Sequence, residues 1–510
     1  MDEFFIGIDS GTQGTKTILL SRKKRRIISE GYAPHNIIEN ASGRREQEPD
    51  WWIEALKKSL KSALGSAHID PKQIRAVGVS GQQHGFVPLD KDGRVIRPAK
   101  LWCDTETAPQ NEALTQKLGG TKKIIAAIGN AIAVGFTASK ILWLKENERK
   151  NYDRLNTILL PHDYINFWLT GEKKAEFGDA SGTAYFDVRR RKWSEEVLLA
   201  IDKTGKLRSC LPELISSSEP VGTLREAVSG EFGFSRDVLV SSGGGDNMMA
   251  AIGTGNVSEG VVTASLGTSG TIYAFSPRPV VDPEGELAAF CSSDGHWLPL
   301  VCTMNVTVST ERVRQLFGLT LDAFNESVKS SRTGSDGLIL LPYFQGERTP
   351  ALPNAKATLY GLNSTNFSRA NVCRASMEGA TLGLRYGLDV LKRNGIQPGE
   401  IRLVGGGAKS PIWRQMVANI FNCKVISPQT KEAGALGAAL QALWCYLSRR
   451  GERVELKEIT NEFVSLNSKT RADPQPDDAK HYQEIYIKYL ELNHSMKPMY
   501  ESVEKHEKAE

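Results

Sequence analysis

The sequence has little of what would set it apart from ordinary globular chains. Its seven cysteines are odd in number, scattered, and never spaced C-x-x-C, which argues against a disulfide framework or a cysteine-held zinc and fits a reducing compartment. No apolar run reaches the ~18 residues of a membrane span, and the first residues carry neither a basic region nor a cleavage signal, so a cytoplasmic chain without a membrane partner is expected. Charge of one sign is also scarce: 64 Lys+Arg against 59 Asp+Glu leaves a net +5 over 510 residues, which gives no pointer to nucleic acid. The one basic run, "RKKRR" at Arg22 to Arg26, lies between strand-like segments and reads as an exposed turn. Two phosphate-binding patterns are missing as well. Lys16 is not set in G-x-x-x-x-G-K-[ST], and Gly7, Gly11 and Gly14 lack the spacing of G-x-G-x-x-G, so neither a P-loop nor a dinucleotide fold is indicated.

What is present is "FFIGIDSGTQGTKTILLS", Phe4 to Ser21. Apolar, β-favouring runs on both sides of the glycines predict a strand, a tight loop and a second strand. The loop from Ser10 to Thr15 can turn backbone N–H groups toward an anion, because Gly11 and Gly14 tolerate backbone angles closed to other residues. Asp9 would repel a phosphate unless a cation lay between them, so it suits a Mg²⁺–nucleotide, directly or through water. An ordinary β-turn rich in Asp and Gly explains the same letters.

At 510 residues the chain exceeds what one core usually serves, and two domains are expected. Downstream, "EPDWWIEALKKSLKSALG" predicts a helix capped by Asp50, "IRAVGVS" a strand, "ASKILWLKENERK" a helix, "PHDYINFWLTG" another and "VLVSSGGGD" a strand running into Asp246. Such alternation marks an α/β protein. The most informative feature is an echo: "SLGTSGTIYAFS", Ser265 to Ser276, repeats the G-T-x-G-T of the opening hairpin. A third glycine run, Gly405 to Gly407, sits between a strand and a helix and would let a flat base or ribose approach the backbone. "KEAGALGAAL" predicts a helix whose small residues allow close packing. The expected division is 1–253, 254–495 and a polar tail at 496–510.

Two glycine hairpins with an Asp after the first strand, and a late glycine turn, resemble the duplicated ribonuclease-H-like ATPase fold of actin, Hsp70 chaperones and sugar kinases. "GFTASKILWLKEN" (Gly135 to Asn147) and "ATLYGLNSTNFSRANVCRASME" (Ala357 to Glu378) resemble the two signature segments of the FGGY carbohydrate kinases, and the likeness spans residues 4 to 445. The resemblance implies two such domains around an interdomain catalytic cleft, with ATP and Mg²⁺ as cofactors and a small sugar as partner. Within the family "SGQQHG" (Ser80 to Gly85), "LWCDTET", "GDASGTAYFDV" and "GGGDN" resemble members acting on ketopentoses, which implies D-xylulose as acceptor, with ribulose, glycerol or another polyol as alternatives. Gln83 stands where many bacterial members have Met.

By match of motif, Asp246 would be the general base and a sugar contact, and Asp9 the residue at the metal and phosphates. Gln83, His84 and Asp104 would bind sugar. Gly11, Thr12, Gln13, Lys16, Gly267 and Thr268 would hold phosphates, and Gly406 and Gly407 adenosine. Each has a plainer reading: Asp246 as a helix cap, His84 as a satisfied buried histidine, Asp104 as a cap of the polar segment after it. Lys140 reads as an exposed or structural lysine, and His162 and Asp163 as helix-start residues. An actin- or chaperone-like ATPase with a protein partner would have no use for "SGQQHG". A homodimer is one assembly compatible with the sequence.

Overall fold

The structure, a computed structural model, describes residues 2–507. Its contacts divide the chain into two compact units. The first comprises residues up to Ser258 with Phe275–Pro299 and Glu432–Ser465; the second comprises Glu259–Ala274, Leu300–Lys431 and the chain from Leu466 onward. The chain thus returns to the first unit twice after leaving it.

In the first unit the opening glycine stretch folds as predicted. Strand Phe4–Ser10 pairs antiparallel with Gly14–Ser21, Asp9 opposite Lys16 and Ser10 opposite Thr15, and Gly14–Ser21 pairs with Arg26–Pro34. The turn between those last two strands carries the basic run, with Arg22 to Arg25 in turn conformation. Helix Pro49–Ala67 follows; its cap residue is Glu48 with no side-chain hydrogen bond, and Asp50 lies in the first turn instead of capping. Strand Ile74–Gly81 then lies parallel to Phe4–Ser10, and Leu239–Ser241 parallel to Ile74–Gly81 on its other side. A meander of three strands followed by parallel strands thus makes a sheet in the order Pro220–Thr223, Leu239–Ser241, Ile74–Gly81, Phe4–Ser10, Gly14–Ser21, Arg26–Pro34.

One face of this sheet is covered by helix Ala433–Arg449. A β-carbon added at Gly7 would lie 1.9 Å from the Ala435 carbonyl oxygen, and one at Gly78 would lie 2.0 Å from that of Ala438. The helix and the two central strands therefore touch backbone to backbone, a packing open only to glycine and small residues. That contact is why this helix joins the first unit although it follows the second in sequence.

The second unit repeats the plan. Val261–Leu266 and Gly270–Ala274 form the second glycine hairpin, Leu266 opposite Gly270, and Glu400–Val404 lies parallel to Val261–Leu266. Its strands run in the order Trp297–Thr303, Gly270–Ala274, Val261–Leu266, Glu400–Val404, Val425–Pro428, Leu466–Ala472. Helix Pro476–Glu507 runs into the segment 496–510 expected as a polar tail, of which residues 508–510 lie outside the described residues. Among the described residues no helix is long and apolar enough to cross a membrane.

Candidate active site

The first unit gathers its chemistry at the C-terminal ends of parallel strands, where α/β folds place ligands. Ser80 pairs with Asp9 on one side and with Gly244 on the other, so Asp9 and the loop leading to Asp246 flank the same strand end. The Ser80 hydroxyl donates to Asp9 Oδ1 at 2.7 Å. Asp246 opens helix Asp246–Gly253, and its Oδ1 accepts from the Asn247 backbone N–H at 2.8 Å and from Asn247 Nδ2 at 3.1 Å.

Both carboxylates are half-buried. The surrounding protein raises the pKa of each: Asp246 is pushed up to about 7, by burial first and then by the charge of Asp9, and Asp9 is raised chiefly by burial, with the Ser80 hydrogen bond opposing. Asp9, a half-buried carboxylate at the end of the strand before the glycine turn, offers the oxygen donor that a hard divalent cation takes. Room for Asp9 comes from Gly434 on the covering helix, where an added β-carbon would lie 2.8 Å from the carboxylate.

The glycine loop before Asp246 is held from two sides. Gln441 accepts from the Gly243 N–H at 2.9 Å and donates to its carbonyl at 3.0 Å, and Asn166 donates to the Ser242 carbonyl at 2.9 Å. Gln83 joins the same loop: its Oε1 accepts from Asn247 Nδ2 at 2.9 Å, while its buried Nε2 has no hydrogen-bond partner among the described residues. His84 adopts a left-handed backbone, φ 63°, and its ring lies 4.5 Å from that of Phe136 and 5.7 Å from that of Phe290.

The first hairpin loop is tied back through its carbonyls. Gln47 Nε2 donates to the Thr12 carbonyl at 2.8 Å, and the Gln13 carbonyl accepts from the His35 N–H at 3.2 Å and the Tyr32 hydroxyl at 3.3 Å. Gly11 N–H closes the turn onto the Gly14 carbonyl at 3.1 Å. Trp102 Nε1 donates to Thr12 Oγ1 at 3.0 Å, so "LWCDTET" reaches the glycine loop through its tryptophan. Lys16 Nζ forms an ion pair with Glu432 at 2.5 Å.

Asp104 takes a different place from Gln83 and Asp246. It is fully buried, and its Oδ2 accepts from the Arg45 N–H at 2.9 Å and from Lys100 Nζ at 3.2 Å. Glu46, Asp104 and Glu106 are close enough to share a cation, and the Lys100 ammonium fills that role at 3.0, 3.2 and 2.5 Å respectively.

His162 and Asp163 begin helix Pro161–Thr170 as expected, but they do more. His162 Nδ1 lies 2.6 Å from Asp179 Oδ2 and Nε2 lies 3.1 Å from Asp163 Oδ1, all buried. Burial pushes Asp163 up to about 7, Glu176 up to about 6 and Asp179 well above the carboxylate range. Sequence alone offered a weak sign of this cluster in the Asp of "GDASG", and none that it meets His162.

In the second unit the loop carbonyls cap a helix: Gly267 accepts from the Thr307 N–H at 2.9 Å and Thr268 from that of Val306 at 3.1 Å, at the start of Thr307–Leu316. Gly405, at φ 90°, sits against Leu266, where a β-carbon would lie 2.7 Å from the Leu266 carbonyl. Gly406 faces open space, and Gly407 packs on Leu266 and Trp413. The glycine turn therefore abuts the end of the hairpin strand.

The description "FGGY family of carbohydrate kinases" belongs to the two family models that match the chain, the N-terminal domain over residues 4–253 and the C-terminal domain over 262–446. The xylulose kinase of Haemophilus influenzae is 46% identical over 490 residues, covering 95% of this chain and 98% of that protein. The xylulose kinase of Bacillus subtilis is 31% identical over 500 residues, covering 96% of each. The crystal structure of xylulose kinase from Bifidobacterium adolescentis superimposes with a TM-score of 0.82 at 30% identity, covering 95% of this chain and 99% of that one.

Proposed function

The chain belongs to the FGGY family of carbohydrate kinases, which use ATP as phosphoryl donor, and we propose that its acceptor is D-xylulose, phosphorylated on the 5-hydroxyl to give D-xylulose 5-phosphate and ADP. The observation that carries the acceptor is the 46% identity to a xylulose kinase across nearly the whole of both chains. An uncharged open-chain sugar also suits an amide and an imidazole as its contacts, and the buried Gln83 Nε2 has no hydrogen-bond partner among the described residues.

Phosphoryl transfer asks the protein mainly to position the nucleophile and stabilise developing charge. We assign Asp246 as the base that accepts the proton of the attacking hydroxyl; a pKa near neutrality suits that task. Gln83 Nε2 and the His84 ring orient the sugar. Gly11, Thr12, Gln13 and Lys16 of the first unit, and Gly267 and Thr268 of the second, are assigned to the phosphates, and Gly406 and Gly407 to adenosine. Mg²⁺ would be held by Asp9, directly or through water, and would supply charge neutralisation for the phosphates. Asp104 we assign to the sugar side through the network that fixes Arg45 and Lys100. With ATP as donor, the reaction belongs in the cytoplasm.

A coupled ADP-release assay across D-xylulose, D-ribulose, L-ribulose, glycerol and gluconate tests the reading. D-xylulose is expected to give the highest kcat/KM. A higher value for any other acceptor overturns the sugar assignment.

A further inference from the structure

Lys140 is a cation where a helix of this kind would normally present an apolar residue. Helix Thr137–Asn147 buries Thr137, Ala138, Ser139, Lys140, Ile141, Trp143 and Leu144, and the Lys140 side chain is wholly removed from solvent. Its expected role as an exposed or structural lysine thus narrows to a buried one. Burying an ammonium is costly unless its donors are used. Two of its three are: Nζ donates to the His84 carbonyl at 2.6 Å and to the Gly135 carbonyl at 2.7 Å.

The His84 carbonyl takes a second donor, Thr137 Oγ1, at 3.2 Å. This peptide belongs to a residue in the left-handed region, a conformation that costs free energy for a non-glycine residue and persists only where the surroundings hold it. The ring of the same residue is seated on Phe136 and Phe290. Its third side is Gly182, where a β-carbon would come within 2.3 Å of the imidazole. Gly135, the other acceptor, presses on the loop of Asp104: a β-carbon there would lie 2.2 Å from the Trp102 carbonyl oxygen. One ammonium therefore joins the His84 turn to the turn that supports "LWCDTET".

We infer that Lys140 is a positioning residue for the sugar: by clamping the His84 carbonyl it holds that residue's left-handed backbone and so sets the direction in which the imidazole meets the acceptor. One Lys140 bond holds the His84 carbonyl and the other ties it to the Gly135 carbonyl, and a bond from an ammonium restrains a carbonyl more firmly than a neutral donor would. Burial brings the Lys140 pKa down to about 7, with the charge of Asp104 opposing. The inference rests on His84 contacting the sugar.

The test is a double-mutant cycle, with KM for D-xylulose and KM for ATP measured separately on the parent, Lys140→Met, His84→Ala and the double variant. Lys140→Met is expected to raise the sugar KM about tenfold and leave the ATP KM within about twofold, whereas a general weakening of the fold would lower the active fraction and move neither. In the His84→Ala background the same substitution should add less than about twofold, because its effect passes through His84. Full additivity, or equal changes in both KM values, overturns the inference. If His84→Ala leaves the sugar KM unchanged, the sugar-contact reading itself fails. Should Lys140→Met not accumulate as folded protein, Thr137→Val removes only the second donor to the same carbonyl; a sugar KM rise of about threefold supports the clamp, and no rise contradicts it.

Discussion

The two glycine hairpins share the letters G-T-x-G-T and are built differently. In the first, Ser10 pairs with Thr15 across the loop Gly11 to Gly14; in the second, Leu266 pairs with Gly270 across the shorter loop Gly267 to Ser269. Aligning the motifs sets Asp9 against Ser265. In the first hairpin a carboxylate faces a lysine, Asp9 opposite Lys16, whereas in the second Ser265 faces Thr271. The anchoring differs as well. Side chains of Gln47, Tyr32 and Trp102 hold the first loop, and a helix start holds the second. The repeated letters thus mark a strand–glycine turn–strand in both copies, while the carboxylate and the lysine stand in one copy only.

That contrast is most severely tested by removing the residues that differ. Asp9→Ala is expected to lower kcat by about a thousandfold or more, roughly 4 kcal/mol of transition-state stabilisation, and Ser265→Ala by less than about threefold. Comparable losses would show that the copies share the chemistry. A smaller effect is expected from Gly434→Ala, whose methyl would press on the Asp9 carboxylate: kcat falls about ten- to a hundredfold and the Mg²⁺ requirement rises. Gly406→Ala, which meets open space, should leave the sugar KM and thermal stability alone and raise only the ATP KM, by about threefold. An ATP KM unmoved by Gly406→Ala would withdraw the adenosine assignment.

The pH profile sharpens the same contrast more gently. Asp246 must be ionised to accept a proton, and its pKa is raised to about 7 by burial and by Asp9. Below that value kcat/KM for the sugar should fall about tenfold per pH unit, and above it level off. Since the charge of Asp9 is one of the causes, Asp9→Asn should move the midpoint to lower pH. A midpoint unaffected by that substitution would separate the two carboxylates.

Both hairpins, the strand before Asp246 and the close-packed small-residue helix were legible in the sequence because each is written in local pattern: glycine between β-favouring runs, or small residues at helical spacing. What was not legible depends on distant partners. Nothing local says that Ala433–Arg449 returns to the first unit's sheet, since the signal is split between Gly7, Gly78 and the helix itself. The His162 cluster needs Asp179 folded beside it. Asp104 reads as a cap until Lys100 and Arg45 are seen around it. Lys140 did leave a trace, because the apolar Ile141 and Leu144 lie on its side of the helix; the lysine's usual preference for solvent hid it.

The proposed role of Asp246 as the base in an ATP-dependent transfer to D-xylulose is probed most sharply by D-xylulose-dependent ADP formation by Asp246→Asn, with ATP affinity determined on the same preparation. The variant is near-isosteric and cannot accept the proton. Turnover is expected to fall by about a thousandfold or more, with ATP affinity within about twofold of the parent. Turnover within about tenfold of the parent, a change of only about 1.4 kcal/mol, would contradict it.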